Sequence, residues 1–189
     1  MLNADVYGLE GKTAVVTGSG SGIGRSTATE MARAGANIVI AEMQPGSAEE
    51  TAVMVRDLGR RALVVATDVT SAESVAAMMS LALREFGSVD VLVNNVGGLG
   101  AHPRKTTIVD LDLAEWESLL RLNLTSQFIC CKAFITYLTE NERQGAIVNI
   151  SSLAALVPYE TSVVYGAAKA GVVSMTQTLA SEYGKHGIR

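Results

Sequence analysis

Clusters of basic residues are missing from this sequence. Its formal net charge is −4 and no stretch gathers Lys and Arg, so no extended nucleic-acid face is expected. No apolar run approaches the roughly 20 residues that a membrane span needs. The opening MLNADVYGLEGK has no basic start followed by an apolar core, so no signal peptide is expected. Cysteine is nearly absent. Cys130 and Cys131 are the only two, adjacent in a helical-looking segment. Neighbouring cysteines rarely bridge and no metal spacing exists, so reduced thiols in a cytoplasmic protein are expected and no metal is. Histidine is equally scarce: His102 and His186 both sit among loop signals and read as solvated surface. Internal repeats, low-complexity tracts and obvious linkers are also missing.

What is present is a core. Of 189 residues, 48% are hydrophobic, which suits one globular domain or most of a larger one. Five short runs rich in Val and Ile stand out: TAVVTG (13–18), NIVIAE (37–42), ALVVATDV (62–69), VDVLVNN (89–95) and AIVNISS (146–152). They are nearly continuous rather than alternating, as strands buried on both faces are. Helical stretches are expected between them at 22–34, 47–58, 71–86 and 112–140, with another at 159–183. Gly35, Gly59 and Gly87 stand at the first three ends as caps. This alternation predicts an α/β fold, a parallel sheet with helices on both faces. The one long irregular insertion is 97–108.

After the first run comes TGSGSGIG (17–24), with glycines 18, 22 and 24 spaced G-x-x-x-G-x-G. The commoner G-x-G-x-x-G pattern does not fit, since the sixth place is Ile23 counted from Gly18 and Arg25 counted from Gly20. No Walker lysine follows. A strand that ends in a side-chain-free turn and opens a helix presents N–H groups and a positive dipole end to a phosphate; a flexible Ser/Gly loop is the other reading. The second run ends in Glu42, placed to accept hydrogen bonds from an adenosine ribose and to repel a 2′-phosphate. Neither Met43, Gln44 nor Ser21 is basic. NAD is therefore expected over NADP, with a solvated edge carboxylate as the alternative. Asp68, Asn94, Asn95, Ser151 and Ser152 end the later runs, and a parallel sheet brings all these ends to one edge. Singly, each could be a turn or cap residue.

In VVYGAAKAGVV, Tyr165 and Lys169 lie one helical turn apart on one face. Together with TGSGSGIG, DV (68–69), NNVG (94–97), Asn123 in RLNLTSQF, and NISS (149–152), the ordered set resembles the short-chain dehydrogenase/reductase family of the compact, single-domain type. The resemblance implies a doubly wound Rossmann fold and an oxidoreductase moving a hydride between a nicotinamide cofactor and a secondary alcohol or ketone. It implies that Gly18, Gly20, Ser21, Gly22, Ile23 and Gly24 wrap the pyrophosphate, with Ile23 towards the nicotinamide. Glu42 would hold the ribose, Asp68 and Val69 border the adenine, and Asn95 and Gly97 line the cofactor. Val96 stands where the family most often has alanine.

The implied catalytic set is Asn123, Ser152, Tyr165 and Lys169. A free tyrosine, with a pKa of about 10, is a poor base at neutral pH, and a neighbouring ammonium favours the phenolate. Lys169 supplies that charge and, by resemblance, holds the nicotinamide ribose. Ser152 can hydrogen-bond the carbonyl oxygen and share its developing charge. Asn123 falls mid-helix, where a polar side chain can open the ladder, and in the family holds a water leading to the lysine; a solvent-facing Asn is the other reading. Trp116 and the apolar positions of 111–138 read as core or subunit contact, Met78 and Met79 as gap-filling core. The helices at 112–140 and 159–183 commonly pair between subunits in the family, so a homodimer or homotetramer is expected. Arg104 and Lys105 could meet an anionic substrate or simply be solvated.

EYGKHGIR reads as the lead into a further strand. The family usually continues there with two strands and a substrate-covering loop. The expectation is one nucleotide-binding and catalytic domain over 1–189, truncated at its C-terminus and lacking the last two strands. Two alternatives stand beside the NAD-dependent reading: an NADP-dependent 3-oxoacyl-thioester reductase, and a truncated chain that binds nucleotide without turnover.

Overall fold

The structure, a computed structural model, describes residues 7–100, 107–158 and 162–189. Five parallel strands, β1 (Thr13–Thr17), β2 (Asn37–Glu42), β3 (Ala62–Ala66), β4 (Val91–Asn94) and β5 (Ala146–Asn149), form one sheet in the order β3-β2-β1-β4-β5. The helices between them are α1 (Gly22–Arg33), α2 (Pro45–Asp57), α3 (Ala72–Phe86), α4 (Leu113–Leu120), α5 (Ser126–Glu140) and, after β5, α6 (Val163–Tyr183).

Successive side chains on a strand point to opposite faces, and both faces of β1, β2 and β4 are covered, while β5 is only partly buried. Ala14, Val16, Ile38 and Ile40 join Ala28 and Ala32 of α1 and Ala52 and Val55 of α2 in one core. Val15, Val39 and Leu92 join Val75 and Met78 of α3 and Phe134 and Leu138 of α5 in the other. This double burial explains the unbroken apolar runs. Met78 and Met79 lie in the second core as expected. Trp116 is half-buried, and His186 is exposed.

Four strands are shorter than the sequence reading, β1 by the single residue Gly18. β3 ends at Ala66, not 69, because Asp68 turns back on itself: its Oδ1 accepts from Thr70 N at 2.8 Å and Thr70 Oγ1 at 2.7 Å, an Asx-type turn that leaves the ladder. β4 covers 91–94 and β5 146–149, so Asn95, Ser151 and Ser152 lie just past the strand ends. The single helix expected over 112–140 is interrupted by a π-helical turn, Arg121–Thr125. The cause is Asn123, whose Nδ2 donates to Leu119 O at 3.0 Å. Leu119 is four residues back, where a regular α-helix would place the acceptor for Asn123's own N–H. The final helix begins at Val163, with Ser162 Oγ accepting from Tyr165 N at 3.2 Å; residues 159–161 of the expected span lie outside the described residues. Ile188 bridges in parallel to Gly145, and Ile147 N donates to Arg189 O at 2.8 Å. The GIR segment thus begins to pair beside β5, as a strand lead would.

Strand connections run one way from β1 through β2 to β3 and the other way to β4 and β5. The C-terminal ends of β1 and β4 therefore flank a switch point, where doubly wound sheets hold ligands.

Candidate active site

A cavity of about 640 Å³ opens at that switch point. Its walls run from Glu42 and Asp68 at one end, past Gly18 and Asn95, to Ser152, Tyr165 and Lys169 at the other.

The glycine turn is shaped by close contacts. Gly18 has φ +63°, and a Cβ there would stand 2.9 Å from Val96 Cγ2. A Cβ on Gly24 would collide with the Gly18 carbonyl, so only glycine lets α1 start this near the turn. Ser21, at the N-cap, makes no side-chain cap bond, which leaves the first-turn N–H groups uncapped by any side chain. Ile23 is 66% exposed at the cavity rim.

Three residues that the sequence reading passed over brace this turn. Thr17 Oγ1 donates to Val93 O at 3.3 Å and accepts from Asn95 N at 3.0 Å, tying β1 to β4. Asn95 Nδ2 returns the link, donating to Thr17 O at 3.0 Å and Gly18 O at 3.1 Å. Arg25 reaches back over the turn. Its Nε donates to Gly20 O at 2.9 Å and Thr51 Oγ1 at 3.1 Å, and Nη2 bonds Gly20 O and Glu50. The third, Ser19, is fully buried and donates to Val16 O at 2.8 Å.

Glu42 lies against the same turn. Its Oε2 accepts from Gly20 N at 3.0 Å, and its Oε1 from Met43 N at 2.8 Å and Gln44 N at 3.1 Å. A carboxylate offers about four lone-pair sites, so the group is fixed and still has acceptor capacity on the cavity side. Asp68 and Val69 border the same end, and Thr67 and Thr70 complete that wall.

Asn94 departs from the expected edge group. It is buried and turns inward, with Nδ2 donating to Asn149 Oδ1 at 2.8 Å and to Cys131 Sγ at 3.3 Å. Both cysteines are free and buried, with burial pushing the Cys130 thiol up to about 12 and the Cys131 thiol up to about 11. They are packing residues, not nucleophiles. Among the described residues no group of His, Cys, Asp and Glu is disposed to hold a metal. His102, Arg104 and Lys105 lie outside the described residues.

At the other end, Lys169 is only 2% exposed, and burial holds its pKa below the ordinary lysine value. Its Nζ donates to Ile150 O at 2.8 Å and lies 5.8 Å from the centroid of the Tyr165 ring. A Cβ on Gly97 would stand 2.9 Å from both Lys169 Nζ and Asn123 Oδ1, so these two groups meet across a glycine. Asn123 is fully buried and clasps Gly98, accepting from its N–H at 2.8 Å and donating to its carbonyl at 2.8 Å. Ser151 Oγ donates to Lys169 O at 2.9 Å. Ser152 Oγ accepts from Ala154 N at 3.2 Å, and its O–H hydrogen remains to be donated. Tyr165, half-buried, and Ser152 both face the cavity. Most of the candidate residues line one cleft; Gly20, Gly24 and Asn123 lie behind its wall, and Asn94, read only as an edge residue, turns inward.

A doubly wound sheet places the glycine turn, the acidic β2 end and the Tyr-Lys pair on one cleft at its switch point, where such folds bind ligands. Comparison with known proteins narrows this. The family model described as short chain dehydrogenase matches residues 12–189. The chain is 41% identical to the short chain dehydrogenase/reductase astE of Aspergillus oryzae, over 99% of this chain and 71% of that protein. It is 44% identical to the cis-4-hydroxycyclohexanecarboxylate dehydrogenase of Sinomonas cyclohexanicum, over 94% of this chain and 70% of that one. The structure of carveol dehydrogenase from Mycobacterium avium in complex with NAD superposes with a TM-score of 0.89 at 30% identity, covering 95% of this chain and 68% of that chain. The chain belongs to the short-chain dehydrogenase/reductase family.

Proposed function

We propose that this chain is an NAD-dependent dehydrogenase that interconverts a secondary alcohol and a ketone, with nucleotide binding and catalysis in one domain. The observation that carries the reading is the single cleft joining the glycine turn and Glu42 to Ser152, Tyr165 and Lys169. The residues present fit a dinucleotide. Gly18 and Gly24 form a cradle that a Cβ would fill, and the uncapped start of α1 suits a pyrophosphate. Bound there, the nicotinamide would accept or supply the hydride. Asp68 and Val69 would border the adenine, and Asn95 and Gly97 the middle of the cofactor.

The protein's own groups would handle the proton. Ser152 would donate its O–H to the substrate oxygen and hold it beside the Tyr165 hydroxyl. Tyr165 would take the alcohol proton in oxidation and return it in reduction. Lys169 would provide the positive charge that favours the phenolate, and would hold the nicotinamide ribose. Asn123 fixes the Gly98 backbone and opens the π-helical turn, which suits a water path towards Lys169.

Glu42 favours NAD. Its carboxylate is anchored by three backbone N–H groups and would repel a 2′-phosphate. KM for NAD should lie well below KM for NADP, and Glu42→Ala should narrow that gap at least about tenfold, since one charge contact is worth about 1.4 kcal/mol or more. A preference for NADP in the unaltered protein would overturn the assignment.

The proposed assembly is a homodimer or homotetramer in the cytoplasm. On α6, Ala167, Ala170 and Ser174 present a small-residue outer face. On α5, Phe128 is 51% exposed. Gly166 and Gly171, by contrast, serve packing inside the chain, against Ala154 O and Leu124. Light scattering should give twice or four times the chain mass; a monomer would contradict this part. No helix among the described residues is long and apolar enough to cross a membrane.

A further inference from the structure

We infer that Gln127 is a positioning residue for Lys169, acting through the carbonyl of Ile150. Gln127 is the fifth residue of the RLNLTSQ stretch counted from Asn123, one helical turn on, and is 2% exposed. Its Nε2 donates to Ile150 O at 3.2 Å. That same oxygen accepts from Lys169 Nζ at 2.8 Å. Ile150 is held from its other side too, since its N–H donates to Asn94 O at 3.0 Å where β4 and β5 end. One peptide thus carries the ammonium on its carbonyl, with a strand fixing one end and a buried amide fixing the other.

Packing alone does not account for a glutamine here. Its Oε1 is buried with no hydrogen-bond partner among the described residues. A buried amide with half its capacity unused destabilises the fold relative to an apolar side chain of equal volume. The hydrogen bond that it does make falls on the carbonyl that locates Lys169. Two donors on that oxygen also weaken its hold on either one. Without the amide, the carbonyl can rotate with the Ser151–Ser152 segment that follows, or draw the ammonium fully to itself. Either change moves the charge relative to Tyr165 and the nicotinamide ribose. A positioning error of about an ångström can cost up to ~10²-fold in rate.

This inference rests on the Tyr165–Lys169 reading, and the test separates the two. Gln127→Met keeps length and volume and removes both donors. Wild type, Gln127→Met and Tyr165→Phe are compared in one assay with NAD and the best secondary alcohol found for the wild type. Thermal midpoints and NADH affinity by fluorescence are measured in parallel. Gln127→Met should keep or raise the thermal midpoint and leave the alcohol KM within about twofold, while kcat falls about tenfold. An unchanged kcat per folded molecule, with or without a lower thermal midpoint, would overturn the inference and show a packing role only. If Tyr165→Phe abolishes turnover while Gln127→Met leaves kcat unchanged, the inference alone fails. If Tyr165→Phe retains turnover, the underlying reading fails first. Should Gln127→Met not fold, Gln127→Leu, equally without donors, is measured against the same criteria.

Discussion

Replacing Tyr165 with phenylalanine should lower kcat by about 10² to 10⁴-fold, the range that general acid–base catalysis contributes. NADH affinity should hardly change. The aromatic ring would remain in place beside Lys169, whose Nζ lies 5.8 Å from its centroid, and only the hydroxyl would be lost. The Ser162 cap on the Tyr165 N–H is a backbone bond and would survive. A hydride cannot leave an alcohol carbon unless the hydroxyl proton has somewhere to go. Among the titratable groups lining the cavity, Glu42 and Asp68 are at the far end, beside the glycine turn. In the proposed reaction that leaves Tyr165 to exchange the proton, with Lys169 as its charge partner. Stopped-flow hydride transfer with and without the substitution checks this. An unaltered rate would mean that another group, or bulk water, takes the proton.

The second large effect is expected at Lys169, where activity and stability should move in opposite directions. Lys169→Met should reduce kcat at least about 10²-fold while raising the thermal midpoint. Burial holds the lysine's pKa low, so the folded state binds its proton less tightly than the unfolded chain does. Well below that lowered value both states carry the proton, and the wild type bears the whole burial cost. As pH climbs through the folded value towards the ordinary lysine range near 10.4, the unfolded chain binds more protons and wild-type stability rises. The advantage of Lys169→Met should therefore be largest at lower pH and shrink towards that range. An advantage of about 1 kcal/mol corresponds to about 2–4 °C for a chain of this size. Thermal melts at two pH values measure it. A variant less stable than the wild type at both would show that the lysine is held at no cost.

Much of this was legible before any coordinates. Runs of Val and Ile separated by capped helical stretches yield a doubly wound sheet, and its central strands β1, β2 and β4 are buried on both faces. Asn123 was singled out by the family resemblance, with a solvent-facing Asn as the other reading; its side chain is buried on Leu119 O and Gly98 O. What escaped has a common cause: hydrogen bonds between residues far apart in the chain. Arg25 braces Gly20 from α1, but the Thr51 and Glu50 that share it belong to α2. Gln127 meets Ile150 only because β5 ends beneath the start of α5. The end of β3 was overrun for a local reason, the side-chain turn made by Asp68. Asn94 was misplaced by one residue's alternation: it faces Cys131 and Asn149 inside, while Asn95 beside it faces the cleft.

The central claim is that this cleft moves a hydride between an alcohol carbon and NAD. Secondary alcohols deuterated at the carbinol carbon, offered with NAD across alicyclic, steroid and sugar classes, test it most directly. The expected result is NADH carrying one deuterium on a single face of the nicotinamide ring, formed by the wild type and lost in Tyr165→Phe. Bound NAD with no label transferred from any class, or NADH formed without deuterium, would contradict it.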